Sequence, residues 1–457
     1  MQELNVLRDN WLQLIRKGSY GEADELFWNR LFPLVERNFL EKNKVNTAYD
    51  WLVLPCGLEA SYYILLIKAL KPGRVYFLGT EEFYSNYLDK IIERTGLKPS
   101  QYITDKIDYD ELDIADVYEK IRRKLDLFLG KKILMDLTRG KRIMSVGAGI
   151  VGAFFGFDLV YLDEAWADDI KRGIPGTEKI VMVRNPFDVF GDLELREARD
   201  FLNHHNYGAA LALYKRIKLK ILDPRSVEIE ESISESYMHW NSFNFKAAYL
   251  KMKNAVSKAE QYNIKINNEI LKNIKALELL NSGQKPDDGK NTTFDLHVVV
   301  DLYANAMRKS EIGLFEDAIS RLYRVLELIS QSRLVHYNID THTPEINKYS
   351  EEYKLFTKEV YGFEKELPAE IGLKDGYALL FILKDYLLEH YTFHEMQQMF
   401  GVIRARDMSI IAHGLQLAGE KVFVNMNNLA RMFIQRMCVK EGKNFNELMQ
   451  EHTFVKL

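Results

Sequence analysis

Short, unbroken apolar blocks punctuate the first two-fifths of the chain: WLVLP (51–55), RVYFLG (74–79), QYIT (101–104), KKILMDL (131–137), DLVYLD (158–163) and KIVMV (179–183). Most are continuous rather than alternating, the pattern of strands covered on both faces. Between them the spacing predicts helices at about 58–71, 83–95, 110–129 and 142–156. Strand and helix in alternation predict an α/β domain over 49–190 with a mostly parallel, doubly wound sheet. Residues 1–48 read as a helical segment ahead of it.

From about 192 onward the pattern is helical throughout. NYGAALALYKRI (206–217) and FNFKAAYLKMKNAVSKA (243–259) each carry an aromatic residue ahead of a pair of small ones, a weak repeat-like feature of helical hairpins. Glycine, proline and short polar residues crowd into NSGQKPDDGKNTT (281–293), the clearest linker. Residues 191–293 are therefore read as a helical connector with its linker, and 294–457 as an all-α domain. In that domain Phe315, Ala318, Ile319, Leu322, Val325, Leu326 and Ile329 form an i, i+3/i+4 stripe. Further helices are expected at about 376–390, 394–413 and 424–438.

Composition narrows the class. A chain of 457 residues exceeds one compact core, and its 47% apolar fraction is that of a folded protein. The formal charge of −4 will not collect nucleic acid by itself, so any such contact must come from local clusters. Candidates are Arg122, Arg123 and Lys124; Arg139, Lys141 and Arg142; and Lys215, Arg216, Lys218 and Lys220, each equally a solvated face. Two distant cysteines, Cys56 and Cys438, exclude a disulfide framework or zinc finger as organising principle. The first twenty residues read as an amphipathic helix, not a signal peptide. The most apolar run, 143–157, is glycine-rich and falls short of the roughly 18 residues of a membrane span. A soluble, cytoplasmic protein without membrane attachment is expected.

In a doubly wound sheet the ligand crevice lies at the carboxyl ends of the strands, where the strand order reverses. For an order 3-2-1-4-5 the loops there are PCGLEAS (55–61) and DLTRGKR (136–142). In the second, Thr138 and Gly140 precede a helix start and Arg139, Lys141 and Arg142 stand beside its N–H groups. That is either an anion site or an ordinary turn with solvated basic residues. GAGIVG (147–152) matches G-x-G-x-x-G but falls inside the next helix, which argues against a dinucleotide enzyme. Gly149, Gly152 and Gly156 there suit a helix packed closely on the sheet.

RARDMSIIAHG (404–414) places Arg406 and His413 seven positions apart. In a helix that spacing returns nearly to one face, about 10.5 Å along the axis. The pair is either a catalytic constellation or a helix end, since His413 precedes Gly414.

DLTRGKRIM resembles the D-x-T-x-G-x-K/R-x-M stretch of CARF domains, the Rossmann-like sensors of type III CRISPR systems, at Asp136, Thr138, Gly140, Arg142 and Met144. RDMSIIAHG is similar to the R-x4–6-H motif of HEPN domains, with Arg406 followed by a polar residue and His413 by glycine. Sensor first and HEPN last, the chain resembles a CARF–HEPN auxiliary ribonuclease over about 49–190 and 294–457. The resemblance implies an endoribonuclease for single-stranded RNA, switched on by cyclic oligoadenylate, tetra- or hexa-adenylate, and working as a homodimer in antiviral defence. It implies His413 as general acid or base, Arg406 as stabiliser of phosphate charge and Asp407 as an orienting group. The substrate's own 2′-hydroxyl would be the nucleophile, leaving a 2′,3′-cyclic phosphate and requiring neither metal nor cofactor. Gly57, Ser61, Thr80, Thr138, Arg139, Gly140, Lys141 and Arg142 are the residues expected to hold the activator.

A different class of function keeps the sensor and loses the catalysis: a nucleotide-sensing regulator whose helical domain binds a partner. It would show no activator-dependent cleavage of any nucleic acid.

Overall fold

The computed structural model describes residues 2–108, 113–283, 295–342, 344, 346–407 and 418–457. It divides into two compact units, Met1–Asp192 and Leu193–Leu457. No described helix is long and apolar enough to cross a membrane.

The first unit is built on a six-stranded sheet. Strands β1 (Trp51–Pro55), β2 (Arg74–Gly79), β3 (Tyr102–Lys106), β4 (Ile133–Asp136) and β5 (Asp158–Asp163) run parallel in the order 3-2-1-4-5. Leu52 of β1 stands between Val75 and Leu134, which fixes the register on both sides. All five residues of β1 are buried, as an unbroken apolar run requires. Complete burial of side chains such as Val53, Leu54, Leu134 and Met135 contributes about 1.5–3 kcal/mol each.

Between β5 and the last strand the chain forms only a small antiparallel ribbon, β6 (Trp166–Ala167) with β7 (Arg172–Gly173). The connection, residues 164–178, holds no helix of the kind that usually carries a parallel crossover. Strand β8 (Lys179–Val183) accordingly joins β5 antiparallel, with Val160 opposite Met182.

Helices cover both faces of the sheet. On one side Gln2–Arg16, Phe32–Lys42 and Ser61–Leu70 pack around Leu52, Leu54 and Phe77. On the other, Ile114–Arg122, Leu125–Phe128 and Arg142–Phe154 pack around Val53, Tyr76 and Met135. The helix expected over 110–129 is thus two pieces in its described part, with 109–112 outside the described residues.

GAGIVG does lie within Arg142–Phe154, but the glycines that pack closely are Gly147 and Gly152. A Cβ on Gly147 would meet Val117 at 2.9 Å, and one on Gly152 would meet Leu159 at 2.6 Å. Gly156 instead has φ +70 just past the helix, with nothing within 4 Å of its Cβ position, so it serves the turn.

The second unit is helical. Tyr207–Lys218, Arg225–Asn241, Phe245–Gln261 and Asn268–Gly283 enclose Tyr237 and Trp240. Leu296–Glu311, Phe315–His336, Leu373–Ile382, Phe393–Asp407 and Glu420–Lys440 share a second core, and the stripe on Phe315–His336 faces inward as its period predicts.

The helix expected over 376–390 ends at Ile382. Lys384 takes a left-handed φ of 53, and Asp385 accepts from the Leu387 backbone N–H to start a separate turn over Tyr386–Leu388. A further helix, Phe445–His452, is opened by the Asn444 side chain. The chain then returns to the first helical core. Phe454 stacks on Tyr237 at 4.2 Å, and Leu457 exchanges hydrogen bonds with the Asn203 side chain.

Candidate functional site

The first candidate site lies where the strand order reverses, between the carboxyl ends of β1 and β4. The turn after β1 is held by Tyr63, whose hydroxyl accepts from Gly57 N–H at 2.6 Å and donates to the Pro55 carbonyl at 3.3 Å. Gly140, in the turn after β4, has φ +96, a conformation that favours glycine. The two turns touch: a Cβ on Gly57 would stand 2.8 Å from the Gly140 nitrogen.

Asp136 ends β4 fully buried. Its Oδ1 accepts from the Thr138 N–H at 3.1 Å and from the Thr138 hydroxyl. Its Oδ2 has no hydrogen-bond partner among the described residues, and burial pushes its carboxyl up to about 7 against the Thr138 hydrogen bonds. The Thr138 hydroxyl also accepts from Leu162 N–H at 2.9 Å, tying β4 to β5. Thr138 is therefore committed to the fold of the turn as well as to its surface.

Other sequence-predicted residues divide in the same way. Thr80 accepts from Phe83 N–H at 3.4 Å and caps the helix that follows β2. The Ser61 hydroxyl donates to Glu59 at 2.8 Å. Arg139 lies 4.1 Å over the Tyr62 ring and is ion-paired with Glu164 at 2.8 Å and Glu59 at 3.1 Å. Desolvation pushes the Glu164 carboxyl up, against the pull of Arg139. Lys141 is half-buried at the cap of Arg142–Phe154, and Arg142, its first residue, is exposed.

Of these groups Ser61, Arg139, Glu59 and Glu164 border a cavity of about 620 Å³ that also takes in Trp28, Tyr62 and Trp166; Thr80, Thr138, Lys141 and Arg142 are not among its lining. The cavity adds Glu59 and Glu164 to the site, neither of which the sequence reading named. Glu59 sits in the loop PCGLEAS, and Glu164 directly follows β5, at the same end of the sheet. Position alone could have nominated both; only the fold shows that they meet on Arg139.

In the other basic clusters Arg122, Arg123, Lys124, Arg216, Lys218 and Lys220 face nearby carboxylates. Glu119 takes Arg122 and Arg123 at 3.1 and 2.9 Å, and Asp105 takes Lys124 at 3.1 Å. Glu231 takes Lys218 at 2.5 Å, while Glu194 faces Arg216 and Lys220 at 3.6 and 3.5 Å.

The second candidate site is carried by the helix Phe393–Asp407. Buried Met396, Met399, Phe400 and Ile403 fix this helix on the second helical core. Arg406 then comes to lie 4.3 Å over the ring of Tyr323, on Phe315–His336. Asp407 is the last residue of the helix. His413 and the rest of 408–417 lie outside the described residues, so the spacing between Arg406 and His413 is a reading of the sequence alone.

With both sites in place, comparison with known proteins adds an independent line. Residues 190–281 match the family model of the Csm6 6H domain, and residues 289–437 match that of the Csm6 HEPN domain, together more than half of the chain. A curated relative, the CRISPR system endoribonuclease Csm6 of Thermus thermophilus, is 23% identical over 458 residues, covering 95% of this chain and 96% of its own. Among solved structures, Enterococcus italicus Csm6 bound to cyclic hexa-2'-fluoro-hexa-dAMP aligns with a TM-score of 0.45 and 13% identity. That alignment covers 89% of this chain and 98% of the other.

Proposed function

We propose that this chain, which matches the Csm6 6H and Csm6 HEPN family models, is an endoribonuclease of type III CRISPR defence, activated by cyclic oligoadenylate. The observation that carries the reading is the order of parts: a doubly wound sheet with its switch-point crevice, then the 6H match, then the HEPN match holding the Arg–His motif.

At the catalytic site His413 acts as general base or acid at the RNA 2′-hydroxyl or the leaving oxygen. Arg406 stabilises the charge that develops on the scissile phosphate, and Asp407 orients one of the pair. The attacking 2′-hydroxyl belongs to the single-stranded RNA, so the chemistry runs without a metal and leaves a 2′,3′-cyclic phosphate. Because Arg406 is carried by a helix seated on a packed core, its guanidinium is positioned before substrate arrives.

At the sensor, Gly57 and Gly140 bring two backbone turns together, and Lys141 and Arg142 flank the start of the helix where phosphate is favoured. Ser61 and Arg139 line the cavity beside these turns, and Thr80 and Thr138 follow the carboxyl ends of β2 and β4. Cyclic tetra- and hexa-adenylate contain a two-fold axis, so a homodimer can offer identical loops from each protomer to one ring.

The deciding experiment is cleavage of a fluorescent single-stranded RNA in EDTA, with and without cyclic tri-, tetra- and hexa-adenylate, beside His413→Ala. The expected result is cleavage with a particular ring size, abolished in the variant. Activator-independent cleavage, or a fully active His413→Ala, would refute the assignment.

A further inference from the structure

A cavity of about 290 Å³ lies inside the helical unit. Its walls come from well-separated stretches of chain: the turn at Asn203 and His205, the helix Leu296–Glu311 through Met307 and Arg308, and the tail through Phe454 and Lys456. The turn falls in the 6H match and the helix in the HEPN match, and the tail follows both.

Arg308 is the anomaly in that wall. It is 5% exposed, and its described contacts are neutral. Nε donates to Asn241 Oδ1 at 3.3 Å, Nη1 donates to the His452 carbonyl at 3.2 Å, and the Phe454 ring lies 3.9 Å from the guanidinium carbon. Nη2 is buried and has no hydrogen-bond partner among the described residues.

The acidic groups whose fields favour this charge are engaged elsewhere. Asp301 Oδ1 meets Trp240 Nε1 at 2.6 Å and His452 Nδ1 at 3.2 Å, and Glu311 Oε2 meets His205 Nε2 at 2.9 Å. Asp301 Oδ2 has no hydrogen-bond partner among the described residues either, so it does not pair with Arg308. A buried guanidinium with no carboxylate against it is costly, and burial pulls its pKa down. An anion in the cavity would reverse that cost.

The rest of the lining sets the class of anion. Lys456 is exposed and His205 half-buried, so with Arg308 the walls offer an ammonium, an imidazole and a guanidinium, the donors that suit a phosphate. Leu202, Met307 and Met449 add apolar wall, and the volume is at the lower end of small-molecule pockets. We propose that this cavity binds a small phosphate-bearing ligand, with Arg308 as its buried anchor and Lys456 at its rim. Phe454, which packs on both Arg308 and Tyr237, belongs to the covering of the guanidinium, so the ligand engages Nη2 as the tail shifts. The site does not depend on the ribonuclease reading.

The test is calorimetric titration of the full-length protein, free of nucleic acid, with inorganic phosphate, adenosine 5′-monophosphate and adenosine at constant ionic strength. Saturable binding of a phosphate-bearing probe is expected, with adenosine inert. Arg308→Met should weaken that binding by about tenfold or more, through loss of a charge-assisted contact. Lys456→Glu should weaken it about tenfold, because it sets a like charge against the phosphate. Inorganic phosphate binding as tightly as the monophosphate identifies the free ion as ligand, and a tighter monophosphate identifies a phosphate ester; either result supports the site.

No saturable binding of either phosphate probe overturns the proposal. So does adenosine binding as tightly as its monophosphate, since the phosphate would then be irrelevant. Binding that survives unchanged in Lys456→Glu or in a folded Arg308→Met lies elsewhere, the sensor crevice included, and overturns it too. If Arg308→Met fails to fold, Lys456→Glu on the exposed part of the tail carries the test.

Discussion

The Cβ that Gly57 lacks would stand 2.8 Å from the backbone nitrogen of Gly140, so the turns after β1 and β4 meet main chain to main chain. A side chain at Gly57 separates two loops that the crevice needs together, whereas Gly140 is held to glycine by its φ of +96. Because the neighbour is backbone, no rotamer change relieves the overlap.

Gly57→Ala is therefore expected to destabilise the sheet unit by about 1–3 kcal/mol, the usual cost of overpacking. It should also lower activator affinity by more than Gly21→Ala, whose Cβ position has nothing within 4 Å. Thermal unfolding and activator binding, measured on both variants, check it; equal behaviour of the two would show that the turns part without consequence.

The basic residues of the turn after β4 should not contribute equally. Arg139 is ion-paired with Glu59 and Glu164, whereas Arg142 is exposed at the start of the helix. Arg142→Ala is expected to weaken activator binding about ten- to a hundredfold, the loss of one charge-assisted contact. Arg139→Gln should act mainly on stability, by about 1–3 kcal/mol, because two carboxylates lose their partner. A larger affinity loss in Arg139→Gln than in Arg142→Ala would reverse the ranking.

Much of this was legible in the sequence, and the illegible part has physical causes. Continuous apolar runs announced the parallel strands, and the switch point followed from their expected order. Strand direction is not encoded in periodicity, so β8 could not be seen to run antiparallel, and two-residue strands such as β6 and β7 carry no pattern at all. The run through Tyr386, Leu387 and Leu388 kept the helix going on paper; the break at Lys384 and Asp385 shows itself through a buried partner far along the chain. Arg139 looked like a phosphate ligand because Glu59 and Glu164 are brought to it by the fold from 80 residues before and 25 residues after. Asn444 opening the last helix was a local signal that could have been read.

The Asp136 carboxyl makes stability depend on pH in a defined direction. Its pKa rises from 3.8 to about 7 on folding, so the folded state holds a proton that the unfolded chain has released. The contribution is fully present below about pH 4 and is lost as pH rises through 7. Asp136→Asn preserves an acceptor for Thr138 and removes the titration. Across that window the parent should lose roughly 4 kcal/mol more than the variant. Urea unfolding at several pH values measures the difference; parallel curves would mean that the carboxyl ionises normally in the folded protein.

In the helical unit, Asp385 is completely buried and saturated with donors. Its Oδ2 accepts from Arg333 at 2.9 and 2.7 Å and from the Tyr337 hydroxyl at 3.1 Å, while Oδ1 accepts from Leu387 N–H at 3.0 Å. Removing one partner strands the other charge at low exposure, which costs about 3–5 kcal/mol. Asp385→Leu should therefore unfold at markedly lower denaturant, and Arg333→Met alone should do the same. Joined as Asp385→Leu with Arg333→Met, the two changes leave no orphaned charge and should recover much of the loss, because desolvating the pair offsets most of its attraction. If the double variant is as unstable as the sum of the singles, the two side chains are energetically uncoupled and the ion-pair account fails. Unfolding midpoints of the four proteins in one denaturant series decide between these outcomes.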